Sequence, residues 1–331
     1  MDLSNYSVRT DLALEAKEMV SENVSDRLPG VDMNVEEDGE ITVTHIHVMN
    51  EEGSRTLGKL QGRYITIEVP GLRYHDSDLQ DQVAAKMAAV FEKFLRDLGI
   101  PKDAKALIVG LGNWNVTPDA LGPMVVENVL VTRHYFELTP DQVSPGYRQV
   151  SAVAPGVLGI TGIETSEIVH GIVQRSKPDF IICIDALASK ALERVNTTIQ
   201  IADTGIHPGS GIGNKRKGIT QQELGIPVIA IGVPTVVYAS TIVNNTIEML
   251  AANFGKQTQN TAAILGMLPN MSEQERLSMV KEVLNPLGHD LLVTPKEIDQ
   301  FIEDTANVIA NGLNAGLHEA VSQENLSAYT H

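Results

Sequence analysis

Two aspartates stand where apolar strands should give way to loops. Asp119 lies in "LIVGLGNWNVTPDALGP" and Asp185 in "FIICIDALA". Placing a carboxylate on a strand as apolar as the second costs desolvation, so its presence asks for a use. Neighbouring parallel strands lie roughly 4.8 Å apart, so the two carboxylates converge if their strands are adjacent. Two carboxylates that close do not both ionise easily, and one keeps its proton at mildly acidic pH. One then acts as base on a water, and the other as acid toward a carbonyl oxygen or a leaving amine. Such a pair titrates as a unit. The chemistry is peptide hydrolysis without a covalent intermediate. Each aspartate also has a structural use. Thr117 and Pro118 form a helix start that would put Asp119 in the positive end of the helix dipole. Asp185 would cap a helix beginning at Ala186.

Other residues compete for a chemical role. "IQIADTG" carries Asp203-Thr204-Gly205 after an apolar strand, as pepsin-like proteases do. Those enzymes need two such motifs on a β-rich fold, so Asp203 is expected to shape the loop that follows. That loop, "HPGSGIGNKRKG", sets His207 near Lys215, Arg216 and Lys217, a basic island in an acidic chain. It lacks the Walker spacing of a phosphate loop. With Arg133, these side chains are candidates to offset an acidic substrate residue. Cys183 shares a strand face with Asp185, but no histidine is spaced to activate it, so it is expected to be buried and inert. His45 and His47 share a face of "ITVTHIHV", where a solvent-facing edge is expected rather than a metal pair. The alternative chemistry is metal-assisted, with Asp119, Asp185 and His207 as ligands.

These residues need a sheet to hold them. "KALIVGLGN", "DFIICIDA", "TTIQIAD" and "IPVIAIGVP" are short apolar runs without two-residue alternation, as strands covered on both faces are. The fold class expected is α/β, a doubly wound, mainly parallel sheet with flanking helices. "TSEIVHGIVQRSK" reads as a crossover helix. Upstream, "ITVTHIHV" and "RYITIEVP" read as strands, and Ile65, Ile67 and Val69 share one face. The apolar phase of the first switches between Val43 and Ile46, which suggests a bulge or an edge. Val83, Met87, Val90, Phe91, Phe94 and Leu98 form a helical stripe that Gly99 and Pro101 end. "TPKEIDQFIEDTANVIANGL" opens as a capping box of Thr294, Pro295 and Glu297. One α/β domain is expected: strands and a helix over about 35–100, a sheet core over about 105–255, and helices over about 270–320.

Composition narrows the function classes. The 331 residues carry a net charge of −17, which repels a phosphate backbone and disfavours direct nucleic-acid binding. The one cysteine excludes an intrachain disulfide and fits a reducing cytoplasm. The opening residues lack the basic head and apolar run of a signal peptide. The longest apolar run, "PVIAIGVPTVVYA", is broken by Pro234 and too short to span a bilayer, so no membrane partner is expected.

The strings "YSVRTDLALEA", "VGLGNWNVTPDALGP", "FIICIDALAS" and "IQIADTGIHPGSGIGNKRKGI" make the chain resemble, end to end, the germination protease family of spore-forming bacteria. The resemblance implies an atypical aspartic-type endopeptidase, with an α/β fold similar to hydrogenase maturation endopeptidases and with Asp119 and Asp185 as its catalytic aspartates. It implies no cofactor and no metal. It implies a homotetramer of the forespore or spore-core cytoplasm, made as a zymogen, that degrades small acid-soluble spore proteins during germination. Family substrates are cut after an acidic residue and before an apolar one, with a small residue next and an acid further on. "RTDLALE" has that form in Asp11, Leu12, Ala13 and Glu15. Self-cleavage between Asp11 and Leu12 is therefore expected, releasing residues 1–11 as a propeptide and leaving 12–331. Leu14 departs from the pattern, being larger than the small polar residue usual there, and should slow the cut. Mildly acidic pH should help by protonating part of the aspartate cluster. A non-enzymatic spore protein of the same fold would instead keep its N-terminus intact.

Overall fold

A computed structural model describes residues 10–21, 28–207, 217–254 and 291–321, apart from the side chains of 21 and 248–254. The expected helices over about 270–290 and the polar end after Val321 lie outside the described residues, as do Lys215 and Arg216.

One mixed sheet organises the chain. Its strands are β1 (Val31–Asp38), β2 (Ile41–Val48), β3 (Gly62–Glu68), β4 (Ala106–Gly110), β5 (Val150–Val153), β6 (Phe180–Ser189), β7 (Thr198–Ala202), β8 (Val228–Tyr238) and the short β9 (Leu292–Val293). The order is β1-β2-β3-β7-β8-β6-β4-β5, with β9 on β8. The half containing β8, β6, β4 and β5 is parallel, as the apolar runs imply. The half from β1 to β7 is antiparallel and joins β8 through β7. "TTIQIAD" is thus antiparallel, and its unbroken burial reflects a central place in the sheet rather than strand direction.

Helices cover both faces. On one face lie α3 (Ser77–Asp97), α4 (Leu121–Asn128) and the C-terminal α10 (Ile298–Leu317), packed on each other and on the strands. Their core joins Met87 and Phe91 of α3 and Ile302 and Ile309 of α10 to Ile65, Ile67, Ile108, Ile182 and Ile231. Burying each such side chain contributes roughly 1.5–3 kcal/mol. α3 starts where the Asp76 carboxylate accepts from the Asp78 and Leu79 amides, a cap worth about 1 kcal/mol. The other face is covered in two separate places. α1 (Ala13–Ser21) and α2 (Glu51–Leu57) lie over β2 and β3, packing Ala13, Leu14 and Leu57 on Ile46, Val48 and Tyr64. α7 (Thr165–Ser176) lies over β4 and β6, packing Val169 on Leu107, Val109, Ile181 and Cys183. α7 is the crossover helix expected from "TSEIVHGIVQRSK".

Three local expectations are corrected. β2 is neither bulged nor an edge; it pairs in continuous register with β1 and β3. Its apolar phase switches because Ile41 and Val43 face the α3 layer while Ile46 and Val48 face α1 and α2. Thr294 does not cap α10, whose first turn lacks a side-chain cap. Its hydroxyl instead donates to the Thr235 carbonyl of β8 at 2.8 Å, beside the β9 pairing. No helix begins at Ala186, because β6 continues to Ser189.

Candidate active site

The gap between the two helical covers is floored by small residues. Gln200 and Ala202 of β7, Ala230 and Gly232 of β8, and Asp185 of β6 line it. The alternate residues Ile199, Ile201, Ile229, Ile231, Ile182 and Ile184 point into the opposite core. Small side chains on one phase and large ones on the other leave a hollow of about 860 Å³. Asp119, Asp185, Asp11, Lys59 and His207 all border it.

Asp119 is brought there by close backbone packing. β4 and β6 are parallel neighbours with Gly110 level with Ile184, so the loop after β4 starts beside Asp185. The Leu111 amide donates to the Ile184 carbonyl at 2.8 Å. A Cβ on Gly110 would lie 2.1 Å from the Gly122 carbonyl oxygen, so α4 rests directly on the strand. Gly112 has φ +115°, and a Cβ there would lie 1.9 Å from the Asp119 carbonyl oxygen. The glycines of "VGLGNWNVTPDALGP" therefore fold the loop back on itself, and Thr117–Asp119 forms a 3₁₀ turn ahead of α4. Thr235 of β8 pins the turn by donating to the Pro118 carbonyl at 2.7 Å.

The electrostatics follow from that placement. Burial lifts Asp119 from an ordinary 3.8 to about 6, against a lowering hydrogen bond from the Asn113 backbone. Asp185 is raised well above its ordinary value, first by desolvation, then by the charge of Asp119, with Asp11 adding a smaller push. Burial and the neighbouring charge of Asp119 therefore favour a protonated Asp185. Both carboxyls thus hold their protons to higher pH than a free aspartate does.

The N-terminal segment enters the same hollow. The Asp11 amide donates to the Ala188 carbonyl at 3.3 Å, and the Asp11 carboxylate accepts from the Ala188 amide at 3.0 Å. The Asp11 carbonyl accepts from Lys59 Nζ at 2.9 Å and from Gln200 Nε2 at 3.3 Å. Leu12 and Ala13 are fully buried, and the Ala13 amide donates to Gln200 Oε1 at 2.7 Å. Glu15, 1% exposed, accepts from the Lys190 and Ala191 amides at 2.7 and 2.9 Å and from the Thr10 hydroxyl. Arg194 stands 3.6 Å from Glu15 and pairs with Glu18 and Glu68. Past Asp185, β6 stays paired with β8, and the backbone amides of Ala188, Lys190 and Ala191 find partners in Asp11 and Glu15.

The remaining candidates are elsewhere or structural. Arg133 does not border the hollow; it opens α5 (Arg133–Leu138) and pairs with Glu137 at 2.9 Å. Lys217 is exposed and not among the lining residues. Asp203 accepts from the Arg63 amide at 2.7 Å, tying the start of β3 to the turn after β7. Cys183 is buried, and desolvation raises its thiol far above the reactive range. His45 is partly buried, 3.7 Å from Glu36, on β2, which lies one strand in from the edge. Among the described residues no group of three or more His, Cys, Asp or Glu is placed to hold a metal. Sequence reasoning missed Lys59 and Gln200. The desolvation argument that singled out Asp185 applies equally to Gln200, a polar residue alone in "TIQIA".

Fold and site together define an α/β protein with two carboxyls of raised pKa in a cleft that already holds a length of peptide. The germination protease family model matches residues 9–263 and 257–330. Germination proteases of Bacillus mycoides (strain KBAB4), Bacillus velezensis and Bacillus anthracis are each 50% identical to this chain, covering 100% of it and 99% of their own length. A [NiFe] hydrogenase maturation protease, HycI from Thermococcus kodakarensis, aligns with 63% of this chain and 92% of its own, at 17% identity. Its TM-score of 0.31 is too low to establish a shared fold. The chain belongs to the germination protease family, and it is a peptidase of spore germination. Among the described residues no helix is long and apolar enough to cross a membrane.

Proposed function

We propose that the chain is an atypical aspartic-type endopeptidase, made as a self-processing zymogen. It cuts itself between Asp11 and Leu12 and then initiates degradation of small acid-soluble spore proteins in the germinating spore. The observation that carries this reading is the presence of Asp11, Asp119 and Asp185 in one hollow, with the Asp11 carbonyl already hydrogen-bonded. Asp119 is the base that takes a proton from water; Asp185, whose proton is favoured by burial and by the charge of Asp119, holds the proton that the leaving Leu12 nitrogen needs.

Substrate preference follows from the same contacts. An acidic residue before the cut meets the Ala188 amide, an apolar residue after it is buried, and a later acid meets two amides and Arg194. Before cleavage the chain's own segment fills these places, which keeps the zymogen from other substrates. The homotetramer and the forespore location belong to this proposal through the family resemblance; the basic loop Lys215–Lys217 belongs to it, on its charge alone, as an offset for an acidic substrate residue.

The test is intact mass of the full chain before and after incubation at mildly acidic pH, beside Asp119→Asn and Asp185→Asn. Loss of residues 1–11 in the wild type alone is the expected result. Cleavage that persists in either variant removes that aspartate from the mechanism, and an intact wild type overturns the self-processing reading.

A further inference from the structure

We infer that Lys59, assisted by Gln200, stabilises the oxyanion that develops on the carbonyl before the scissile bond. The inference rests on the proposed cut between Asp11 and Leu12 and assigns it a further catalytic group. Lys59 Nζ lies 2.9 Å from the Asp11 carbonyl oxygen and 3.0 Å from that of Thr10. Gln200 brackets the same region: its Nε2 donates to the Asp11 carbonyl at 3.3 Å and its Oε1 accepts from the Ala13 amide at 2.7 Å.

Both donors are held before any reaction begins. Lys59 follows Gly58, which ends α2 in the left-handed conformation at φ 67°, and its carbonyl accepts from the Ser54 hydroxyl at 2.5 Å. Gln200 sits in mid-strand, in register with Thr66 of β3 and Gly232 of β8. Donors fixed in advance lose little reorganisation when charge appears, which is what makes an oxyanion site effective. Burial lowers the Lys59 pKa, and the charges of Asp11 and Glu15, the titratable groups acting on it, oppose that shift in favour of the ammonium.

The step balances without another reactant. Asp119 removes a proton from water, and the hydroxide oxygen bonds to the Asp11 carbonyl carbon. The carbonyl π-electrons move to its oxygen, facing Lys59 and Gln200. As the carbonyl reforms, the carbon–nitrogen bond breaks and Asp185 gives its proton to the Leu12 nitrogen. The products are a carboxyl at Asp11 and an amine at Leu12. Charge stabilisation by Lys59 leaves the Asp185 proton for the amine rather than the carbonyl oxygen.

The experiment measures the first-order rate of self-processing by intact mass in the full chain, for wild type, Lys59→Met, Lys59→Arg and Gln200→Leu. Amide exchange of residues 10–16 is followed for Asp185→Asn with and without Lys59→Met, to read whether the segment stays seated. Lys59→Met is expected to slow processing about 10²–10³-fold with exchange unchanged, and Lys59→Arg to recover most of the loss. Gln200→Leu is expected to slow it about 10-fold or more, and decides the matter alone if Lys59→Met fails to fold. A rate for Lys59→Met within about threefold of wild type overturns the inference, as does a slow rate with the segment unseated, since Lys59 would then only hold the ground state. In either case, silent Asp119→Asn and Asp185→Asn variants leave the endopeptidase reading standing. A wild type that never cleaves overturns both.

Discussion

The raised pKa of Asp119 makes a stability prediction that does not depend on catalysis. An unfolded Asp119 ionises near its ordinary 3.8, whereas the folded one ionises near 6. Below about pH 4 both states bind the proton and the site costs nothing. Above about pH 6 both have lost it, and the folded state has given up the difference. A gap of about 2 units corresponds to about 3 kcal/mol, and about 2 remains after allowing for water in the open cleft. Asp119→Asn has no such proton to lose, so its stability relative to Asp119 should rise by about 2 kcal/mol as pH climbs from about 4 to about 7, then level off. The comparison belongs in an Asp185→Asn background, where self-cutting is blocked. That background also preserves the effect, because burial rather than the charge of Asp185 raises Asp119. Urea unfolding followed by circular dichroism reads it directly. With a slope at or above about 3 kcal/mol per M, the gap between the two midpoints should widen by somewhat under about 1 M over that range. A gap constant to about 0.2 M, or one that narrows as pH rises, would refute the claim that burial in this fold opposes ionisation of Asp119.

Glu15→Gln keeps the shape of a side chain that is 1% exposed but removes the charge meeting two amides and Arg194. It should weaken docking of the N-terminal segment by about 1–2 kcal/mol and slow self-processing about tenfold, read by intact mass over time. Gly110→Ala drives a Cβ to 2.1 Å from the Gly122 carbonyl oxygen and should cost more than about 3 kcal/mol or abolish soluble expression, whereas Gly159→Ala, with nothing within 4 Å, should be near neutral in a thermal melt. Self-processing should be indifferent to a strong chelator; a loss of more than about tenfold, restored by a divalent cation, would favour metal-assisted hydrolysis instead.

What was legible in the sequence is what each residue shows on its own strand or helix. Asp185 stands out because apolar neighbours make a carboxylate expensive, and Asp119 because glycines and a proline surround it. The stripe from Val83 to Phe94 is legible because helix periodicity and burial coincide there. The phase switch in β2 was visible too, but its cause was not, since one strand cannot say that different helices cover its two ends on opposite faces. Thr294 misled for a similar reason: its hydroxyl had a local use as a cap and a distant one on Thr235, and the distant one won. Lys59 was hidden more deeply. It follows a helix-ending glycine in a charged stretch, where a lysine is ordinary, and its partner carbonyls are 48 and 49 residues away. Arg133 shows the converse, a cation that sequence offered to the site and that geometry gives to Glu137. The carboxylates could be found because burying a charge is costly wherever it happens. The cation that answers them could not, because a lysine acquires its role only from the backbone oxygens that the fold carries to it.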